Sequence, residues 1–126
     1  MLFRSEFTDG LKKPCIVSEY HFGAQGDGIF GYGNGTACRA LNQQDRAQKF
    51  VAYTQSLLAH PAFVGAHWFQ LTDEPVTGRF YDGENYNIGF VDVGDTPYPL
   101  MVDAARNIYA QAYTLHQAAS PAITQK

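Results

Sequence analysis

Cysteine is scarce in this chain. Cys15 and Cys38 are the only two in 126 residues, too few for a disulfide framework and without the C-x-x-C spacing of a redox motif or a zinc ribbon. Long apolar runs are missing as well. Nothing approaches the ~18 consecutive apolar residues of a membrane span, and Met1 to Gly10 contains no apolar core of a signal peptide. Basic clusters are absent: nine Lys and Arg face twelve Asp and Glu, a formal net charge of −3. Nucleic acid and membrane surfaces therefore drop out as expected partners. The four histidines, His21, His60, His67 and His116, show no H-E-x-x-H or H-x-H spacing, and no Gly-Lys-Ser/Thr follows the glycines between residues 23 and 35. Asp82-Gly83-Glu84-Asn85 is at most half of a calcium loop. No metal and no cofactor is expected.

What is present is material for a core. The chain is 45% apolar and 14% aromatic with 17% charged residues, which suits one globular domain and argues against disorder or a fibrous repeat. Cys15-Ile16-Val17, after Lys13-Pro14, reads as a short strand buried on both faces, as in a parallel sheet. It runs into Ser18-Glu19-Tyr20-His21. Six of the twelve glycines fall between 23 and 38, which predicts a long loop. From Asn42, the residues Ala47, Phe50, Val51, Thr54, Leu57 and Leu58 recur at spacings of three and four until Pro61, predicting an amphipathic helix of about sixteen residues. Phe63 to Phe69 is a second apolar strand, so the order is strand, helix, strand. A polar and aromatic segment follows from Gln70 to Asn87, with a turn and small hairpin expected at Asp82-Gly83. Ile88 to Val91 returns to the core. Pro97 and Pro99 then introduce a final helix striped by Met101, Ala104, Ala105, Ile108, Ala112 and Leu115.

In parallel α/β folds, chemistry gathers at the carboxyl ends of strands and in the loops beyond them. Glu19, Tyr20 and His21 close the first strand here. His67, Trp68, Gln70, Asp73 and Glu74 close the second, and Arg79, Tyr81, Asp82, Glu84, Asn85, Tyr86 and Asn87 occupy the following loop. Carboxylates and amides that take hydroxyls, beside rings that stack on C–H-rich faces, are the chemistry of carbohydrate recognition. Taken singly, Glu19 reads equally as a paired strand-end carboxylate, and Trp68 as core.

Three blocks in order carry a resemblance: Ile16 to Gly23, Val64 to Gln70, and Asp82 to Asp92. Together, across residues 12 to 115, they resemble the end of the catalytic (β/α)8 barrel of retaining glycoside hydrolases, nearest the β-agarase family, with β-galactosidase-like relatives behind it. The resemblance implies an α/β fold that is the C-terminal portion of a TIM barrel, from strand seven through helix eight. It implies Glu19 as the nucleophile and Trp68 as a platform under the sugar. Tyr20, His21, His67, Gln70, Asp73, Arg79, Glu84 and Asn85 would bind substrate, a galactose-containing polysaccharide. The acid/base glutamate of such enzymes belongs on strand four, which would lie outside this chain. Asp73 and Glu84 are poor substitutes, suited rather to sugar hydroxyls or to orienting Arg79.

A whole barrel needs ~250 residues. The expectation is therefore a partial domain over 12–117, flanked by a non-native or disordered lead at 1–11 and a frayed tail at 118–126, its reading frame continuing upstream. The remainder of the barrel would be its necessary partner, and the chain alone would be inactive. An extracellular or periplasmic parent follows from kinship with enzymes that act on polymers too large to enter a cell. Two alternatives stay open: a β-galactosidase or other β-glycanase of the same clan, and a non-catalytic carbohydrate-binding module.

Overall fold

The computed structural model describes residues 13–24 and 38–119. The expected N-terminal lead, most of the glycine-rich loop and nearly all of the expected tail lie outside the described residues. Strand β1 (Cys15–Tyr20) is followed by two-residue strands β2 (Gly23–Ala24) and β3 (Arg39–Ala40), which pair in parallel. Helix α1 (Gln43–Leu58) then crosses to β4 (Phe63–Trp68), which pairs in parallel with β1. The chain ends in helices α2 (Pro99–Ala110) and α3 (Ala112–Ala119). The order strand, helix, strand is as the periodicity predicts, but the strands are not buried on both faces: Ile16 is 57% and Val64 60% exposed. Among the described residues β1 and β4 pair only with each other, so each keeps one unpaired edge.

Helix α1 begins where its chemistry says it should. The Asn42 side chain accepts from Asp45 N–H at 2.9 Å, and the Asp45 carboxylate accepts from Leu41 N–H at 2.8 Å. Two amides without intrahelical partners are thereby satisfied. Ala47 and Phe50 face inward and join Tyr20, Phe22, Met101, Ala105 and Ile108 between the sheet and the helices, and Leu57 is also buried.

Two expectations change in detail. The final helix is broken at Gln111, whose N–H bonds Ile108 O at 3.2 Å in a tighter turn. No residue of α3 is fully buried, yet Leu115 of the predicted stripe still packs, partly buried, against the core cluster. At Asp82-Gly83 there is a turn, with Gly83 N–H bonded to Arg79 O and Arg79 N–H bonded to Glu84 O, both at 2.8 Å, but no flanking strands.

The segment from Gln70 to Tyr98 folds back over the end of the sheet. Its tightest point is Gly89. A Cβ there would sit 2.6 Å from the Thr72 carbonyl carbon and closer still to Val91 O and Asp73 N, all backbone atoms that cannot step aside. Gly89→Ala is accordingly expected to cost roughly 3 kcal/mol or more in a urea titration. A loss below 1 kcal/mol would mean that this loop closes less tightly than described.

Candidate active site

The site begins with a register slip. Val17 lies opposite Ala66 and Tyr20 opposite Trp68, so β1 spends three residues where β4 spends two. The extra residue keeps Val17 and Tyr20 both on the core side and leaves Ser18 and Glu19 exposed together at the strand's carboxyl end. Glu19 thus stands clear of the helices.

Alternation in β4 sorts the other residues. Ala66 and Trp68 pack against the core cluster, which turns His67 and Phe69 to the opposite face. Trp68 meets Tyr20, Phe50 and Phe90 at ring separations of 5.2, 5.3 and 5.7 Å, and its Nε1–H donates to Ile88 O at 2.9 Å. That is a packed position with its one polar atom satisfied. Tyr20 is similar: its hydroxyl bonds Thr54 Oγ1 at 2.8 Å, and burial pushes its pKa up. The ring that shares a face with the open strand end is Phe69, 6.2 Å from His21. Sequence reasoning passed over it because the run from Phe63 to Phe69 reads as apolar throughout; counting alternate positions from His67 would have found it.

His21 stacks on Tyr86 at 6.3 Å, and among the described residues both its ring nitrogens are buried without a hydrogen-bond partner. Burial lowers its pKa, against the opposing pull of Glu19 and Glu84. The unfolded chain therefore takes up this proton near pH 6.5, before the folded chain does, and uptake favours unfolding. Stability is expected to be full above that pH and to fall as the pH drops through the lower folded value. His21→Gln should flatten the fall in melting temperature between pH 7.5 and 5.5; an unchanged slope would count against a buried neutral imidazole.

Asp73, expected to bind substrate, is turned inward. It is 4% exposed, with Oδ1 accepting from Gly89 N–H at 2.6 Å and Oδ2 from Asn87 Nδ2 at 2.7 Å and the Tyr98 hydroxyl at 2.6 Å. It holds the return segment in place. Glu74, fully buried, accepts from Tyr86 N–H at 2.8 Å and lies 3.1 Å from Arg79 Nη1, while burial raises its pKa. Arg79 also binds Asp82, with Nε to Oδ1 at 3.0 Å, and Glu84. So Arg79 and Glu84 do come together as expected, whereas Asp73 belongs to a separate network. Asn85 donates weakly to Val76 O at 3.4 Å, and Gln70 is half-buried just past β4. Among the described residues no group of three or more His, Cys, Asp and Glu is placed to hold a metal ion. A groove of about 470 Å³ opens elsewhere, between α1, α3 and the helical side of β4.

No family model matches the chain. Over 105 residues, 83% of its length, it is 52% identical to β-agarase A and 50% identical to β-agarase B of Vibrio sp. (strain JT0107). By sequence the chain is a close homologue of part of these β-agarases. It spans only about a tenth of their length, 10% and 11% respectively. A solved exo-β-agarase superposes with a TM-score of 0.81 at 49% identity, over 89% of this chain and 15% of that one. A second solved agarase gives 0.82 at 46% identity, over 89% and 17%. A β-glucuronidase from Bifidobacterium dentium, at 15% identity and a TM-score of 0.59, shares the fold. The β-agarase likeness thus extends over more than four-fifths of the chain, in which Glu19 stands at the exposed end of a parallel strand.

Proposed function

We propose that this chain supplies the nucleophile and one wall of the cleft of a β-glycosidase acting on agarose, as strand seven through helix eight of a (β/α)8 barrel. What carries the reading is the roughly 50% identity to two β-agarases, taken with a carboxylate left exposed at a parallel strand's carboxyl end. Glu19 attacks the anomeric carbon and expels the leaving sugar, forming a glycosyl-enzyme. A second carboxyl, about 5–5.5 Å away in retaining enzymes, protonates the departing oxygen and then deprotonates the water that releases the product. Asp73 is committed to the return segment and Glu84 to Arg79, so that acid/base comes from the remainder of the barrel. His67, Phe69 and Gln70 line the cleft, with Phe69 as the stacking ring. Tyr20 and Trp68 hold the strand ends from the core side. His21, Arg79, Glu84 and Asn85 form the rim. The substrate is a polymer, which places the working enzyme outside the cell or in the periplasm.

The test is a chimera in which residues 13–119 replace the equivalent segment of one of the agarase relatives. It should hydrolyse agarose, whereas the purified 126-residue chain should not. A folded but inert chimera, or turnover by the chain alone, would refute the proposal.

A further inference from the structure

The loop between Pro75 and Tyr86 holds two aromatic rings out in water. Phe80 is 99% exposed and Tyr81 65%, with ring centroids 5.1 Å apart at 86°. The backbone beneath them is tightly fixed. Gly78 and Gly83 adopt φ of 85° and 77°, and a Cβ on Gly78 would meet Gly83 O at 2.7 Å. Arg79 ties the loop to Glu74, Asp82 and Glu84, and its guanidinium carbon lies 4.9 Å from the centre of the Tyr81 ring. Flexibility thus does not account for the exposure.

The position of the loop says what it faces. Its returning limb carries Glu84 and then Tyr86, which stacks on His21 two residues beyond Glu19. Contacts run from His21 through Tyr86, Glu84 and Arg79 to Tyr81. The chemistry around the tip favours a sugar over a protein partner: Arg79, Asp82, Glu84 and Asn85 all fall within five residues of Phe80, whereas the centre of a protein interface is depleted of Asp and Glu. Rings take the C–H faces of a pyranose while carboxylates and amides take its hydroxyls.

We propose that Phe80 and Tyr81 form an outlying aromatic subsite, stacking on a sugar of the polysaccharide beyond the one held at Glu19. The proposal rests on the glycosidase reading above and deepens it. In the chimera, Phe80→Ala combined with Tyr81→Ala should lower kcat/KM on agarose about tenfold, while a short aryl β-galactoside changes less than twofold. Phe80→Tyr should retain polymer activity. Equal losses on both substrates, a lowered melting temperature, or no loss on agarose would overturn the subsite; the first two would instead indicate contact with the rest of the protein. Affinity electrophoresis of the 126-residue chain in agarose against polyacrylamide gels provides a readout independent of turnover. Retardation that Phe80→Ala abolishes supports the subsite even where a chimera without agarase activity has refuted the glycosidase reading. Equal mobility of the two chains in agarose counts against it.

Discussion

Arg46→Ala should bring the chain close to unfolding, with an expected loss of about 3–5 kcal/mol against a domain stability of roughly 5–15 kcal/mol. Arg46 is fully buried on α1. Its Nη1 donates to the carbonyl and side-chain oxygens of Asn87 at 2.8 and 3.0 Å, its Nη2 donates to Gly89 O, and its guanidinium carbon lies 4.9 Å from the centre of the Tyr98 ring. Asn87 and Tyr98 pass the connection on to Asp73, whose other oxygen takes Gly89 N–H. Removing the guanidinium takes the donor from the buried Gly89 carbonyl, at ~1–3 kcal/mol, and leaves Asn87 O with the 3.3 Å bond from Ala24 N–H. Arg46→Lys keeps the charge but not the planar fork, so its cost should fall between those of wild type and alanine. Urea titrations followed by circular dichroism measure all three. If alanine costs under 1 kcal/mol, this network does not hold the Gln70 to Tyr98 segment to the helix.

That residue marks the limit of what the sequence makes legible. The parallel strands, α1 and its start at Asn42 all follow from local pattern, because apolar spacing and capping are decided within a few residues. Arg46 is one step off the chosen stripe, yet it shares a face with Phe50, Thr54 and Leu57 at spacings of four, four and three. A cation on an apolar face was readable, but its partners on Asn87 and Gly89 lie more than forty residues away and have no local signature. Glu19 was legible as a strand-end acid. The register slip that leaves it exposed was not, since that depends on how β1 meets β4. Trp68 and Phe69 differ by one position, and along a strand one position is the difference between one face and the other.

Glu19→Gln in the agarase chimera should reduce turnover of agarose by on the order of a thousandfold or more and leave the melting temperature unchanged. The structural half of that expectation follows from exposure: Glu19 lies outside the core cluster, and glutamine fills the same volume. The catalytic half follows from charge, since an amide cannot form the glycosyl-enzyme by displacement at the anomeric carbon. Loss of activity alone would not separate a nucleophile from an acid/base, so Glu19→Ala provides the discriminating variant. In the space it opens, added azide can attack the anomeric carbon as the bond to the leaving oxygen breaks, and the acid/base from the rest of the barrel protonates that oxygen. The product is a glycosyl azide of inverted configuration at the anomeric centre. Were Glu19 the acid/base instead, azide would attack the glycosyl-enzyme from the opposite side and the product would retain the substrate's configuration. An inverted azide places the nucleophile on β1. A retained one moves Glu19 to the other side of the reaction and requires the nucleophile to lie beyond this chain.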